Sequence, residues 1–564
     1  MCPASPCRTR SPTAPQPLGL DSLAPMTALQ WLTALMPVLS VALLLVALRM
    51  PAVRAMPLAL VVSVALALLV WQVAADYIAA SVIEGWIIAA SVVWIVLGAI
   101  ALLYVMRASG GVDAIRMEFH DLSADSRVQA LLIGWLFVCF IEGAAGFGTP
   151  APVAAPLLIA LGFPALPAVA LTLIADVSAV TFGAVGTPIL VGIAQGIGVN
   201  PAVPEDYDAL QEVTLAAAGI DIGVGLIVPV AMMWLLTMRF AARPSREAFR
   251  EVLPLALVSA PLYSVPAWLS TRFIGIEFGG ILGGLTGMIC FYVLIRTGLL
   301  IPKRRWTVRD GYAEAAPVEP ADDPGHHGWP AWKVWGPYLL LTVLLLASRL
   351  IPPVKEALQS VTVGLDDILG TGLSSTFEPL YSPGFIFLIV VVVTALVQGV
   401  PREQYRPTAR QIGMSVGGTA LVLAAAVPLV RVFLNSGIND AGLESMPLEL
   451  AAAASATMGD AWPLAAPFVG ALGSFVSGSA TFSHLMFASL QADVAGSLGL
   501  STDVVLAQQV GGANAGNMVC VSNVVAVAGV TGLLGQEGTI IRSTALVMLA
   551  YTSLFALAGF GLAS

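Results

Sequence analysis

The chain has 564 residues, 58% hydrophobic and only 10% charged, with a mean hydropathy of +0.89. A soluble globular chain carries about 25% charged residues, so most of this sequence is excluded from water. The net charge of −9 says little about partners, and no basic run is large enough to track nucleic acid.

Residues 1–26 are polar and rich in Pro, Ser and Thr, the composition of a disordered tail. No small-residue cleavage site follows an early apolar core, so the tail does not read as a removable signal peptide. Met26 directly precedes the first apolar span and is an alternative start.

Leu-, Ala-, Val- and Ile-rich stretches then recur near 27–49, 56–75, 85–106, 128–147, 164–195 (broken), 214–238, 252–270, 276–296, 335–352, 383–399, 411–434 and 543–563. Most approach the roughly 20 residues of a spanning helix. They lack the alternation of an outer-membrane barrel, so their backbone is satisfied within helices. Two more apolar stretches, 148–162 and 461–532, are interrupted by Gly, Pro, Ser and Asn. The expected fold is an all-α polytopic membrane protein with about 12 to 14 crossings. The cysteines Cys2, Cys7, Cys139, Cys290 and Cys520 lie far apart and form no metal-spaced pair; those in apolar segments read as small core residues.

Charge supplies the orientation, because Lys and Arg concentrate in cytoplasmic loops. With the loop at Arg49 and Arg54 inside, alternation also places inside Arg107 to Arg127, Arg239 to Arg250, Arg296 to Lys333 and Arg402 to Arg410. Together these loops hold 18 of the 25 Lys and Arg residues. The opposite loops are acidic, at Glu84, at Glu205, Asp206 and Asp208, and at Asp440, Glu444 and Glu449. Both termini fall outside. The expected division is a tail 1–26, a membrane half 27–298, a flexible cytoplasmic linker 299–334 and a second membrane half 335–564. His326 and His327 in the linker are a candidate metal pair on a segment that otherwise reads as a linker.

The unusual chemistry begins at Glu142-Gly-Ala-Ala-Gly146-Phe-Gly148-Thr149-Pro150, which a regular helix cannot continue cheaply. Downstream come Asp176 and Gly186-Thr187-Pro188. The second half repeats the design, with Ser474, Ser477, Ser479, Thr481 and His484, then Asn514, Asn517 and Asn523. The first region starts from a cytoplasmic loop and the second from an acidic outer loop, the pattern of an inverted repeat with broken helices or hairpins.

Breaking a spanning helix frees backbone groups at mid-membrane depth, tolerated only inside protein or beside a watery cavity. Freed helix N-termini suit a carboxylate, and neighbouring hydroxyls and amides suit a substrate hydroxyl. The candidate substrate-binding residues are therefore Gly146, Gly148, Thr149, Thr187, Ser477, Ser479, Thr481, Asn514 and Asn517. Arg431, in an apolar span, joins them if it lines the cavity; otherwise it snorkels to the outer interface. Glu142 and Asp176 are the candidate proton carriers, since burial disfavours the charged form of a carboxyl, and His484 is the rival. Asp221 reads as interfacial, and Arg272 with Glu277 as a structural clamp. No His/Cys metal set, nucleotide loop or Ser/His/Asp arrangement appears, so no cofactor, metal or enzymatic activity is expected.

On Glu142-Gly143-Ala144-Ala145-Gly146-Phe147-Gly148, Phe182-Gly183-Ala184-Val185-Gly186-Thr187-Pro188-Ile189 and Gly478-Ser479, the sequence resembles the L-lactate permease family, which includes the glycolate permeases. Lesser matches are Phe273-Ile274-Gly275 with Glu277, Phe487-Ala488-Ser489-Leu490-Gln491, and Gly511-Gly512. The order holds from about residue 27 onward. The resemblance implies a proton symporter of lactate or glycolate in the bacterial plasma (inner) membrane, whose partners are a small carboxylate, protons and the lipid bilayer. It departs from the family pattern at Asp176 and His484, where relatives carry Asn, and at Ala480, where some carry Asp. The alternative is a sodium-coupled or exchange transporter of another small organic anion. The sequence sets no oligomeric state.

Overall fold

The computed structural model describes residues 26–40, 43, 44, 47, 48, 50, 52–111, 114, 123–146, 148–201, 203–308 and 329–563. All of the expected tail except Met26 lies outside the described residues, as do Arg49, the central part of the linker, and its His326 and His327.

The protein is a multi-pass, all-α membrane protein. The first half holds α1 (Ala28–Ser40), α2 (Ala52–Leu69), α3 (Ala75–Ser109), α4 (Ser126–Leu131), α5 (Val138–Ala145), α6 (Pro150–Ala160) and α7 (Ala165–Asp176). It continues through α8 (Pro204–Val224), α9 (Ile227–Trp234), α10 (Arg246–Phe273) and α11 (Gly279–Thr297). The second half holds α12 (Ala331–Leu350), α13 (Pro383–Gln398), α14 (Tyr405–Leu434), α15 (Met446–Met458), α16 (Trp462–Ser477), α17 (Ala480–Leu498), α18 (Thr502–Asn517), α19 (Val521–Thr531) and α20 (Glu537–Ala563). Among the described residues, seven helices are long and apolar enough to cross a membrane, two bent pairs pass the same test jointly, and four shorter helices are apolar. Against the 12 to 14 crossings expected, the described residues thus give seven, or up to nine if each bent pair is one span. One short antiparallel hairpin, β1 (Val363–Leu365) with β2 (Ser375–Phe377), was not signalled by sequence; Gly364 faces Thr376 in it.

The two broken regions share one plan. In the first, α4 runs through a π-helical turn, Leu132–Phe137, into α5; a break follows, then α6, a turn at Gly162, α7 and a second break before Pro188–Ile193. In the second, α16 breaks into α17, turns at Gly499, and α18 breaks into α19. Their packing is reciprocal. Helix α6 lies on α19, the Pro188–Ile193 turn lies on α17, and α7 meets α18. Such exchange, second element on fourth and third on third, is what a two-fold axis between the regions produces. Glycines make the approach close. A Cβ on Gly192 would sit 3.1 Å from the Thr481 Cα, and one on Gly196 would sit 2.8 Å from the His484 carbonyl oxygen.

A scaffold of α3, α13 and α14 flanks this pair. Gly85 admits Pro428, and Gly98 admits Phe387, each at 2.5 Å from where a Cβ would be. Arg127, fully buried, ties the start of α4 to α10 and the linker. It pairs with Asp125 at 2.6 Å and Glu251 at 3.5 Å, and donates to the carbonyls of Ala248 and Arg304, both at 2.7 Å. The Trp306 amide donates to Asp125 at 3.1 Å, and Trp306 and Val308 are buried. The first residues of the expected linker are thus packed onto the membrane half, because a buried guanidinium needs these carbonyls and carboxylates.

Two sequence readings are corrected. Arg272 pairs with Glu212 at 3.6 Å, while Glu277 accepts from the Tyr207 hydroxyl at 2.8 Å, so Arg272 and Glu277 form no clamp. Asp221, expected as a lone interfacial acid, has a protein partner. It lies midway along the pair of helices α8 and α9, at their 40° bend, where Tyr551 donates to it at 2.5 Å.

Candidate functional site

The two regions break by different local chemistry. Gly478 closes α16 in a left-handed conformation at φ 75°, its amide donating to the Ser474 carbonyl. Ser479 is extended, and α17 starts at the next residue with no side-chain cap. Glycine is the residue that adopts this turn without a Cβ penalty. In the first region Gly146 and Gly148 take φ of 58° and 69°, and Pro150 restarts the chain as α6, also without a side-chain cap. The second break of that region is harsher. Ala184, Val185 and Gly186 are left-handed in succession, at φ 44°, 60° and 78°, before Thr187 and Pro188 resume a helix. A β-branched residue at positive φ is costly, and such strain clusters at functional sites.

The breaks open onto one cavity of about 300 Å³ between the regions, within the roughly 300–1,000 Å³ usual for small-ligand sites. Of the residues expected at the substrate site, Gly148, Thr149, Thr187, Ser477, Ser479, Thr481 and Asn517 line it, and so does Glu142. Gly148 and Ser479 therefore share one wall although 330 residues separate them in the chain. Gly148 abuts the Asn523 side chain, which would collide with any Cβ there.

The remaining expected residues lie off the wall. Gly146 packs instead: a Cβ there would stand 2.6 Å from the Ala184 nitrogen. Asn514 is buried and donates to Thr181 at 2.7 Å. Asp176 is buried and off the wall, near enough to Glu142 for the two acids to act on each other, and its Oδ1 atom has no hydrogen-bond partner. His484 is fully buried and both ring nitrogens lack a partner. Arg431 takes a protein partner instead of a place on the wall. Its guanidinium pairs with Glu84 of α3, and Asn435 donates to the other oxygen of the same carboxylate at 2.6 Å. It stands 5.8 Å from the ring of Phe482, which does line the cavity, but it is not itself on the wall. A charge at this depth takes a protein partner before a ligand, and α3 carries one at matching height.

Sequence reasoning missed several wall residues. Asn523, Ser522 and Phe482 belong to the broken second region, so their signal was present in the helix-break pattern. Ser91 of α3 and Thr376 of the β-hairpin also line the cavity, and neither stands in a motif.

The electrostatics of the wall are distinctive. Among the described residues no Lys or Arg lines the cavity, while one carboxyl, Glu142, does. Its Oε2 atom and the Thr149 hydroxyl are buried without a hydrogen-bond partner. Positive potential comes from uncapped helix starts: α6 at Thr149 to Pro152, α17 at Ser479 to Phe482, and α19 near Ser522 and Asn523. The first-turn N–H groups of α17 and α19, with the dipole of each helix, suit an anion; α6 offers fewer, since Pro150 and Pro152 have no N–H. No group of three or more His, Cys, Asp or Glu side chains that would hold a metal occurs among the described residues.

A family model described as L-lactate permease matches residues 30–563. A putative L-lactate permease of Haemophilus influenzae is 28% identical over 502 residues, covering 85% of this chain and 88% of that protein. The L-lactate permease of Escherichia coli K12 is 27% identical over 568 residues, covering 93% and 94%. The glycolate permease GlcA of the same strain is 26% identical over 544 residues, covering 91% and 92%. Among solved structures, the Alcanivorax borkumensis YdaH transporter aligns with 84% of this chain at 16% identity and a TM-score of 0.27.

Proposed function

The chain belongs to the L-lactate permease family, and from that premise we propose that it is a proton symporter of lactate, glycolate or a similar small 2-hydroxycarboxylate in a bacterial plasma membrane. The observation that carries the proton is the cavity wall, which offers an anion only helix starts and neutral donors and sets a carboxyl beside them. An ionised Glu142 about 5 Å from a carboxylate opposes it by roughly 3 kcal/mol at an effective dielectric near 20. A proton on Glu142 removes that repulsion and leaves a hydroxyl donor. Anion and proton then bind together, which is the requirement for symport.

The carboxylate sits at the uncapped starts of α17 and α19. Ser479, Thr481 and Asn523 reach its oxygens, and Thr149 and Asn517 take the 2-hydroxyl. The two regions move against each other around this site to alternate access, as repeats with broken helices do. Glu142 and Asp176, two buried acids close together, hold one proton between them in the empty state, and the anion's arrival adds a second, so that both are neutral beside it.

The test is uptake into proteoliposomes under imposed gradients. An acid-outside pH gradient is expected to drive accumulation of labelled lactate or glycolate, and a sodium gradient at matched pH is not. Accumulation driven by sodium alone, or exchange without net uptake for every 2-hydroxycarboxylate tried, would give the site instead to a sodium-coupled or exchange transporter of another organic anion.

A further inference from the structure

The two sides of the cavity differ in chemistry. The hydroxyls, amides and helix starts that suit an anion lie on the broken regions. The opposite side is the scaffold, where Ile88, Ser91 and Ile95 of α3 and Val427 of α14 line the cavity. The three α3 residues, spaced three and four positions apart, share one face of their helix. Among the described residues, Ser91 is the one polar side chain that α3, α13 and α14 set on the wall. Its hydroxyl already donates to the Ile88 carbonyl at 2.7 Å. The Arg431 guanidinium, four residues past Val427, is held by Glu84 and lies off the wall. Thr376 of the hairpin is exposed, so it marks the cavity's mouth. A second, smaller void of about 40 Å³ continues from this side. It shares Val427, Ser477, Gly478 and Ser522 with the cavity, and beyond them Pro37 of α1, Met56 of α2, Val430 of α14 and Phe475 of α16 line it.

Volume and chemistry agree on what this side accepts. The cavity of about 300 Å³ has room for about ten waters at roughly 30 Å³ each. Lactate, with its single methyl group, fills much less. In a small-ligand site a few polar groups fix orientation, and apolar surface supplies much of the binding. A carboxylate and 2-hydroxyl placed on the broken regions direct the rest of the substrate toward α3 and α14. We propose that the site is built for 2-hydroxymonocarboxylates whose apolar chain is longer than the methyl of lactate. That chain lies on Ile88, Ile95 and Val427 and reaches toward the smaller void. A second carboxylate on the chain is rejected, because it would lose its hydration against a wall with no free donor. This inference rests on the 2-hydroxycarboxylate reading above and is independent of its proton coupling.

The experiment is counterflow of labelled lactate in proteoliposomes at equal pH, which needs no net proton movement. Unlabelled glycolate, lactate, 2-hydroxybutanoate, 2-hydroxypentanoate and the dicarboxylate 2-hydroxybutanedioate are each tested outside as competitor and preloaded inside as exchange partner. Apparent affinity is expected to rise about threefold with each added methylene, as burial of apolar carbon requires. Both longer monocarboxylates are expected to exchange, and the dicarboxylate neither to compete nor to exchange. Val427→Phe places a larger side chain where cavity and void meet. It is expected to lower the affinity for 2-hydroxypentanoate about tenfold relative to that for glycolate. The wild-type series decides the matter even if that variant fails to fold. Affinity that is flat or falls beyond lactate, inhibition by the longer acids without exchange, or exchange of the dicarboxylate as fast as lactate would overturn the proposal. So would an unchanged affinity ratio in folded Val427→Phe. Failure of glycolate and lactate themselves to exchange would instead overturn the 2-hydroxycarboxylate reading, a distinct result.

Discussion

The two broken regions differ where their plan is the same. The second, α16 to α19, breaks cleanly: one left-handed glycine, one extended serine and a fresh helix start, with hydroxyls and amides around it. The first, α4 to Pro188–Ile193, breaks with strain at Ala184 and Val185 and carries both acids. The difference teaches a division of labour. On the proposed symport reading, the second region supplies fixed, neutral, positively oriented amides for the anion. The first then supplies the groups that change protonation, held against backbone that glycine makes approachable. Gly183 shows this directly, since a Cβ there would strike the Glu142 carboxyl oxygen.

The division breaks first if its acids are removed. Glu142→Gln combined with Asp176→Asn is expected to abolish uphill uptake driven by a pH gradient, while counterflow persists; accumulation assays on the reconstituted double variant decide it. Loss of counterflow at normal folded yield would mean that the acids also bind the anion.

The flanking scaffold marks the outer limit of the comparison. Arg431 and Glu84 form a largely buried pair, with side chains 15% and 5% exposed, and removing one partner of a buried pair typically costs about 3–5 kcal/mol. Arg431→Gln is therefore expected to lower the melting temperature and membrane yield sharply, with the KM of surviving protein close to wild type. A large rise in KM at normal stability would return Arg431 to the anion site.

The clean break is sharpened by Gly478→Ala. A left-handed L-residue costs about 1–2 kcal/mol, and the new Cβ would collide with the Ser522 hydroxyl. Thermal stability should fall and substrate affinity with it, because both helix starts shift. A variant with wild-type affinity would uncouple Gly478 from the site.

The smallest effects come from single hydroxyls. Ser479→Ala and Thr481→Val each remove a donor worth about 0.5–1.5 kcal/mol net, so KM is expected to rise severalfold at little cost in stability. Ser477→Ala is expected to do less, since its hydroxyl is already committed to the carbonyls of Gly473 and Ser479 at 2.7 and 3.0 Å.

Much of this was legible in the sequence, for physical reasons. Apolar runs must be helical in lipid, and Gly-Pro-Ser interruptions within them must face protein or water. Those constraints marked Glu142, Gly148, Thr149, Ser479 and Asn517 before any coordinates. What escaped was pairing across the chain. The partner of Arg431 is 347 residues away, and that of Asp221 is 330 away. Hydropathy assigns a residue a depth and leaves its azimuth around the helix open. Asp221 was for that reason read as interfacial, and Arg431 as a possible ligand of the cavity. The β-hairpin that brings Thr376 to the cavity has strands of only three residues, Val363–Leu365 and Ser375–Phe377, and such a segment gives the same signal as an ordinary loop.

The central claim is that the anion binds only together with a proton on the first region's acids. It is tested most directly by the protons taken up when lactate binds to purified protein in weakly buffered detergent solution near pH 7. The account predicts uptake of roughly one proton per lactate bound in the wild type, and none in the Glu142→Gln, Asp176→Asn double variant. Saturable lactate binding without proton uptake in the wild type, or undiminished uptake in the double variant, would contradict it.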